Sequence, residues 1–194
     1  TPTSYGQISQ MAQIYSGFGI DGIMFYRGID SGECTQEYFL EAPDGSRIMG
    51  IRLSRFVSRG AFHLYVTART QHDAGWDGYK WGDEGCLSIH LNRADEDHEE
   101  EPQIIISPYG EKLNLDVVEE GINKAMEDIL EGATCDCLIL MDGMDSIYPN
   151  KNLPEILKKA NEVNPEWKFI HSSLPEFVKD LRNSINPEKM TVLK

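Results

Sequence analysis

The stretch that decides the fold is residues 1–30, TPTSYGQISQMAQIYSGFGIDGIMFYRGID, an amphipathic helix feeding a short apolar strand. Ser4 and Gln7 have the S-x-x-Q spacing of a capping box, in which side-chain oxygens satisfy amide groups left free by the first helical turn. That spacing predicts a helix starting near Tyr5. Ile8, Met11, Ala12 and Tyr15 fall at i, i+3, i+4 and i+7, one face of a helix, and that face is expected to be core. Gly17 and Gly19 suit a helix stop, because glycine tolerates the left-handed conformation of a helix C-terminus. Ile23-Met24-Phe25 is a continuous apolar run of the kind found in parallel strands covered on both sides. Arg27 then emerges at the strand's carboxyl end, where open α/β sheets and α/β barrels place their sites.

Outward from this unit, Glu37 to Glu41 and Arg47 to Leu53 read as two strands joined by Pro43-Asp44-Gly45-Ser46, a hairpin turn. Ala61 to Thr67 alternates Phe62, Leu64 and Val66, which predicts a strand, and Gln71 to Gly85 reads as a polar loop. Within that loop His72-Asp73 and Trp76-Asp77-Gly78-Tyr79 invite a metal or sugar-stacking reading, and a surface loop with anchoring aromatics is preferred. Ala94 to Glu101 is an acidic run, read as solvated; it lacks the glycine-spaced oxygen ligands of a calcium loop.

From Gln103 onward the signals alternate between strand and helix. Ile104-Ile105-Ile106 predicts a strand. Asp116 and Glu119 give a helix start, followed at helical spacing by Val118, Ile122, Ala125, Met126 and Ile129 up to Gly132. Cys137 to Met141 predicts a strand, Asn152 and Pro154 open a short helix, Trp167 to His171 predicts another strand, and Ser173 with Glu176 caps a last helix carrying Phe177, Leu181 and Ile185. Such alternation argues for an α/β fold of parallel βα units with right-handed crossovers and an inserted β-hairpin.

Composition excludes several function classes. The chain has 194 residues, enough for one sizeable core, and is read as a single domain over residues 1–194. A net charge of −14 without Lys/Arg clusters argues against nucleic acid and anionic membranes as partners. No run of eighteen apolar residues and no signal peptide is visible, so a soluble, cytoplasmic protein is expected. The chain begins with threonine inside a motif, as a piece of a longer protein would. Cys34, Cys86, Cys135 and Cys137 show no C-x-x-C spacing and are expected to be reduced, with Cys135 and Cys137 as small core filler rather than a metal pair.

Three segments in order resemble glycoside hydrolase family 38, the α-mannosidases, in its bacterial members. Ser4 through Arg27, S-Y-G-Q-I-S-Q-M-A-Q-I followed by G-F-G-I-D-G and F-Y-R-G-I, resembles the segment around the family's nucleophile, which reads D-S-F-G-H-x-x-Q-M-P-Q-I; Tyr38 to Ile51 resembles E-x-P-D-G-S-x-V-L-G-I; Leu138 to Ser146 resembles L-x-L-M-N-G-x-D-H. The resemblance implies that the chain is the middle of a family 38 N-terminal catalytic domain, part of an incomplete (β/α)7 barrel. It places Thr3 at the nucleophile and zinc-ligand position, Tyr5 at that of an aromatic under the sugar, Gln7 at that of a histidine and Arg27 at that of a substrate-site arginine. Asp145 falls on a substrate position and Ser146 on a zinc-ligand histidine. Three of these positions are substituted: Thr3, Gln7 and Ser146.

The resemblance therefore implies a zinc-dependent retaining α-mannosidase as parent. This chain itself is expected to hold no cofactor and to be inactive alone, because an unactivated threonine hydroxyl neither attacks nor carries the charge that an oxocarbenium-like transition state needs. The implied partners are a mannose-containing glycan and further domains of the same parent chain. A non-catalytic carbohydrate-binding or scaffold domain of the same fold is the alternative. Arg27 is read equally as a structural arginine paired with Asp30, and Asp145 as a turn residue.

Overall fold

The computed structural model describes residues 7–26, 28–53, 60–71, 89–91, 104–106, 113–143 and 150–194. Their elements are α1 (Met11–Gly17), β1 (Gly22–Phe25), β2 (Glu37–Glu41), β3 (Arg47–Arg52), a π-helical turn (His63–Thr67) running into α2 (Ala68–Gln71), β4 (Ile89–Leu91), β5 (Ile104–Ile106), α3 (Val118–Leu130), α4 (Leu153–Val163), α5 (Leu174–Ser184), a 3-10 turn (Pro187–Lys189) and β6 (Thr191–Leu193). The fold is mixed α/β. Residues gather into two compact units, one of Thr1–Ser58, Glu127–Ile139 and Ser172–Lys194, the other of Arg59–Met126 and Leu140–His171.

The first unit is built on a four-stranded sheet in the order β1-β3-β2-β6. β1 and β3 are parallel, with Phe25 beside Arg52, and so are β2 and β6. β2 and β3 form the expected hairpin, with Tyr38 opposite Gly50. Its turn works as its residues dictate. Asp44 accepts from the Ser46 amide at 3.0 Å and from its hydroxyl at 2.9 Å, while Gly45 takes φ +86°. The sheet is thus mixed rather than all parallel, because a four-residue turn can only return the chain antiparallel.

α1 starts later than its sequence suggests. Residues 7–10 are not helical, Ser4 lies outside the described residues, and Gln10 precedes the helix without a side-chain cap. Ile8 is accordingly 61% exposed, whereas Met11 and Ala12 are buried and Tyr15 packs partly against the core. Gly6 and Ser9 are poor helix formers, so propagation begins where Met11-Ala12-Gln13 make each added bond favourable. The stop is the one expected: Gly19 adopts φ +71°, Ile20 donates to the Tyr15 carbonyl at 2.9 Å and Gly19 to Ser16 at 3.0 Å. β1 alternates between half-buried and buried residues instead of being covered equally on both faces. Its buried Ile23 and Phe25 join Met11, Ala12, Cys34, Tyr38, Ala42 and Ile48 in one core.

α5 carries the reciprocal capping box between Ser173 and Glu176, and buries Phe177 and Leu181. It lies so close to β1 that a Cβ on Gly22 would meet the Val178 methyls at 3.2 Å. The chain then closes on β6, an edge strand the sequence reading missed. Lys194 reaches Glu41 at 3.0 Å, and Lys194 first, then Arg47, holds the Glu41 carboxyl below the ordinary range.

In the second unit Ala61 to Thr67 is helical, correcting the predicted strand. Ala61, Phe62, His63, Val66, Thr67, Ala68 and Thr70 are all buried, so this segment is enclosed nearly all round and its period-two pattern is incidental. β5 forms as expected, but antiparallel to β4, three residues with no strand signal in the sequence analysis above. α4 follows Asn152 and places Pro154 in its first turn, although Asn152 makes no side-chain cap. α3 buries Val118, Ile122, Ala125, Met126 and Ile129, the five residues its spacing selects. Its residues 118–126 belong to the second unit and 127–130 to the first.

Two predicted strands, 137–141 and 167–171, form no ladder among the described residues. A strand requires a paired neighbour as well as an apolar run. Phe169 is instead pinned by one side chain. Asn161 accepts from its amide and donates to its carbonyl, each at 2.9 Å, imitating one rung of a ladder.

Candidate functional site

Because β1 and β3 are parallel, their carboxyl ends share one edge, the place where α/β folds carry their sites. Of the residues selected from sequence, Thr3, Tyr5, Arg27, Asp145 and Ser146 lie outside the described residues, as do 72–88 with the His72 and Trp76 motifs and the whole acidic run 94–101. Gln7 is described and exposed. Gln7 is thus the one position of that set among the described residues.

What it shows at that edge is a set of buried polar side chains. Glu37 opens β2 fully buried, and its Oε2 accepts from the Thr134 amide at 2.8 Å and the Thr134 hydroxyl at 2.7 Å. Two donors on one carboxylate oxygen compensate its lost hydration. Arg52 closes β3, also buried.

A second polar cluster lies in the other unit, on the π-helical turn. The Thr67 hydroxyl is 2.8 Å from Asp142 Oδ1 and 3.1 Å from His63 Nδ1, with His63 and Thr67 buried. A hydroxyl has one proton. Given to the carboxylate, it leaves Thr67 Oγ1 to accept from His63 Nδ1–H, making a chain from imidazole through hydroxyl to carboxylate. On a strand His63 and Thr67 would share a face but stand about 13 Å apart, and only a helical turn brings them into contact, so a reading of this segment as strand could not have found the pair. Asp142 follows the 137–141 segment directly, in the stretch compared above with the family's strand-end sequence. Chemically the arrangement can hold a half-exposed carboxylate in a fixed orientation, with a buried imidazole behind it. π turns recur at functional sites.

Thr67→Val keeps the side-chain shape but removes the middle of this chain. It is expected to lower unfolding free energy by about 2 kcal/mol, since a buried N–H and a carboxylate oxygen both lose their partner. Urea unfolding of the variant measures this, and a loss below about 0.5 kcal/mol would mean the chain of bonds is not formed.

The zinc of the resembled family finds no fitting set among the described residues. Among the described residues no group of three His, Cys, Asp or Glu is placed to hold a metal ion. Thr3 and Ser146 offer neutral hydroxyls where zinc takes anionic oxygen and imidazole. Cys135 and Cys137 do not substitute for them. The Cys135 thiol turns onto the Cys137 carbonyl at 3.5 Å, burial pushes it up to about 11, and burial likewise raises Cys137, so both stay protonated.

No protein-family model matches the chain, and no curated protein matches it. Among solved structures the chain is similar to an alpha-mannosidase from Enterococcus faecalis V583, with a TM-score of 0.68 at 16% identity. The likeness covers 100% of this chain and 17% of that one, so the chain spans about a sixth of that protein's length. At this identity the likeness is one of fold: the mixed α/β arrangement described above is found in an α-mannosidase. No helix among the described residues is long and apolar enough to cross a membrane.

Proposed function

We propose that the chain is a segment of an α-mannosidase-like glycoside hydrolase domain of family 38, a single domain that binds or acts on α-linked mannosides and is inactive alone. The observation that carries this reading is the fold likeness to an alpha-mannosidase along the whole chain, at a TM-score of 0.68. The three sequence segments that resemble the family, in the same order, support it independently. In this reading the βα units are part of an incomplete (β/α)7 barrel, Tyr5, Arg27 and Asp145 line the sugar cleft, and Thr3 occupies the nucleophile position. A soluble, cytoplasmic parent with further domains completes it.

Hydrolysis with retention needs one carboxylate to attack and another carboxyl to protonate the leaving oxygen. Thr3 cannot take the first role unaided, and Thr3, Gln7 and Ser146 together favour a cleft that holds sugar without cleaving it. A non-catalytic carbohydrate-binding or scaffold role is the second reading, favoured by those same three residues. Zinc content of the purified chain, hydrolysis of an aryl α-mannoside and calorimetric titration with methyl α-mannoside decide among these. The expected result is a binding heat lost in Arg27→Ala, with no turnover. Stoichiometric zinc and turnover would overturn the inactive assignment, and the absence of any mannoside heat would leave only the scaffold role.

A further inference from the structure

Asp142 is held through one oxygen only. The Thr67 hydroxyl donates to its Oδ1 at 2.8 Å, and His63 Nδ1, 3.1 Å from the Thr67 hydroxyl, stands 3.7 Å from the same oxygen. Oδ2 takes part in neither contact. The side chains of His63 and Asp142 are 3% and 22% exposed, so buried groups fix one oxygen while the carboxylate keeps its access to solvent. The backbone on either side is fixed as well. The Met141 carbonyl accepts from the Phe62 amide at 3.0 Å, and Gly143 takes φ +142°, a conformation that side-chain-bearing residues rarely adopt.

Stability does not call for this arrangement. Burying an imidazole and a hydroxyl costs desolvation that apolar side chains of similar volume avoid. A carboxylate with one oxygen tied and the other open is instead a preorganised acceptor, because its side chain is ordered on folding rather than on binding. It is also this chain's own, since the resembled sequence L-x-L-M-N-G-x-D-H has asparagine at that position. An ionised carboxylate only accepts, so its ligand must bring donors. At a net charge of −14 an anionic ligand is repelled, and among the described residues Asp142 belongs to no group of three side chains placed to hold a metal ion. A neutral ligand rich in hydroxyls fits what remains.

We propose that Asp142 Oδ2 accepts a hydrogen bond from a sugar hydroxyl of a bound α-mannoside, with Thr67 and His63 as the residues that position it. This rests on the mannoside reading above and adds to it a ligand-contacting residue of the second unit.

Calorimetric titration of the full 194-residue chain with methyl α-mannoside and each of its monodeoxy analogues is the test. Asp142→Ala is expected to weaken mannoside binding about tenfold, as for loss of one hydrogen bond to a charged acceptor. One monodeoxy analogue should lose a similar factor against the wild-type chain and nothing further against Asp142→Ala, where the bond is already absent. Thr67→Val should weaken binding several-fold and Thr67→Ser, which keeps the hydroxyl, should restore it; a purely structural tie would move stability in these variants and leave affinity alone. Unchanged affinity in Asp142→Ala, or equal losses for every analogue in both chains, overturns the role of Asp142 while the mannoside reading stands. No mannoside heat with the wild-type chain overturns both. Should Asp142→Ala not fold, Asp142→Asn, of the same shape without the charge, is read in the same way.

Discussion

Gly50→Ala should lower the unfolding free energy by about 3 kcal/mol, the upper part of the range for overpacking a core. Gly50 lies directly across the hairpin from Tyr38, and a Cβ built on it runs into the Tyr38 ring. The ring cannot swing into solvent, because Tyr38 is fully enclosed by a core that includes Met11, Ala12, Ile23 and Phe25. Neither can the backbone yield, since β3 is paired on both sides, to β1 and to β2. The origin of the cost is checked by adding Tyr38→Leu, which empties the space the ring fills. Urea unfolding should then show the double variant more stable than the two single losses predict, by about 1 kcal/mol or more of coupling. Strict additivity would show that the ring does not lie over Gly50.

A second glycine sets two effects of opposite sign against each other. Gly121 lies inside α3, where alanine is the better helix former by about 1 kcal/mol. Propensity alone therefore predicts stabilisation. Yet a Cβ at 121 would clash with the Tyr65 carbonyl oxygen and stand 3.1 Å from its carbon and 3.3 Å from Val66 Cα, which is backbone of the buried π turn. Backbone cannot rotate aside as a side chain can, so helix and turn must separate and expose Val66 and Ile122. The steric term wins, and Gly121→Ala is expected to cost about 2 kcal/mol net. Gly17→Ala is the control. It too is helical, but nothing lies within 4 Å of its Cβ, so there the propensity term acts alone and a gain of about 0.5 kcal/mol is expected. Thermal unfolding of both variants tests the pair, and a stabilised Gly121→Ala would refute the close approach of α3 to the π turn.

Much of what depended on residues near one another in sequence was legible, the start of α1 and the helical Ala61 to Thr67 excepted. The hairpin turn follows from Pro43-Asp44-Gly45-Ser46, the stop of α1 from Gly19, the cap of α5 from Ser173 and Glu176, and the buried face of α3 from apolar spacing. In each case the groups that satisfy one another lie within one turn or one helical repeat, so spacing alone specifies the contact. The site was legible only as a resemblance, and Thr3, Tyr5, Arg27, Asp145 and Ser146 fall outside the described residues.

Whatever depended on a distant partner was not legible. Residues 137–141 and 167–171 have the composition of strands, but a ladder needs a neighbour, and none is made among the described residues. The three residues of β6 carry no strand signal of their own and become one by pairing with the edge of β2, some 150 residues earlier in the chain. The His63, Thr67 and Asp142 bonds wait on Asp142, 75 positions from Thr67. Gln36, Glu37 and Arg52 look in sequence like polar residues at strand ends, and only packing encloses them. The amino-acid sequence by itself thus determined the hairpin turn, the stop of α1, the cap of α5, the buried face of α3 and the α/β class, since short-range hydrogen bonds and periodic burial are written in spacing. Which polar groups are buried, and which partners they find, was decided by tertiary structure alone, because desolvation depends on what the rest of the chain lays over them.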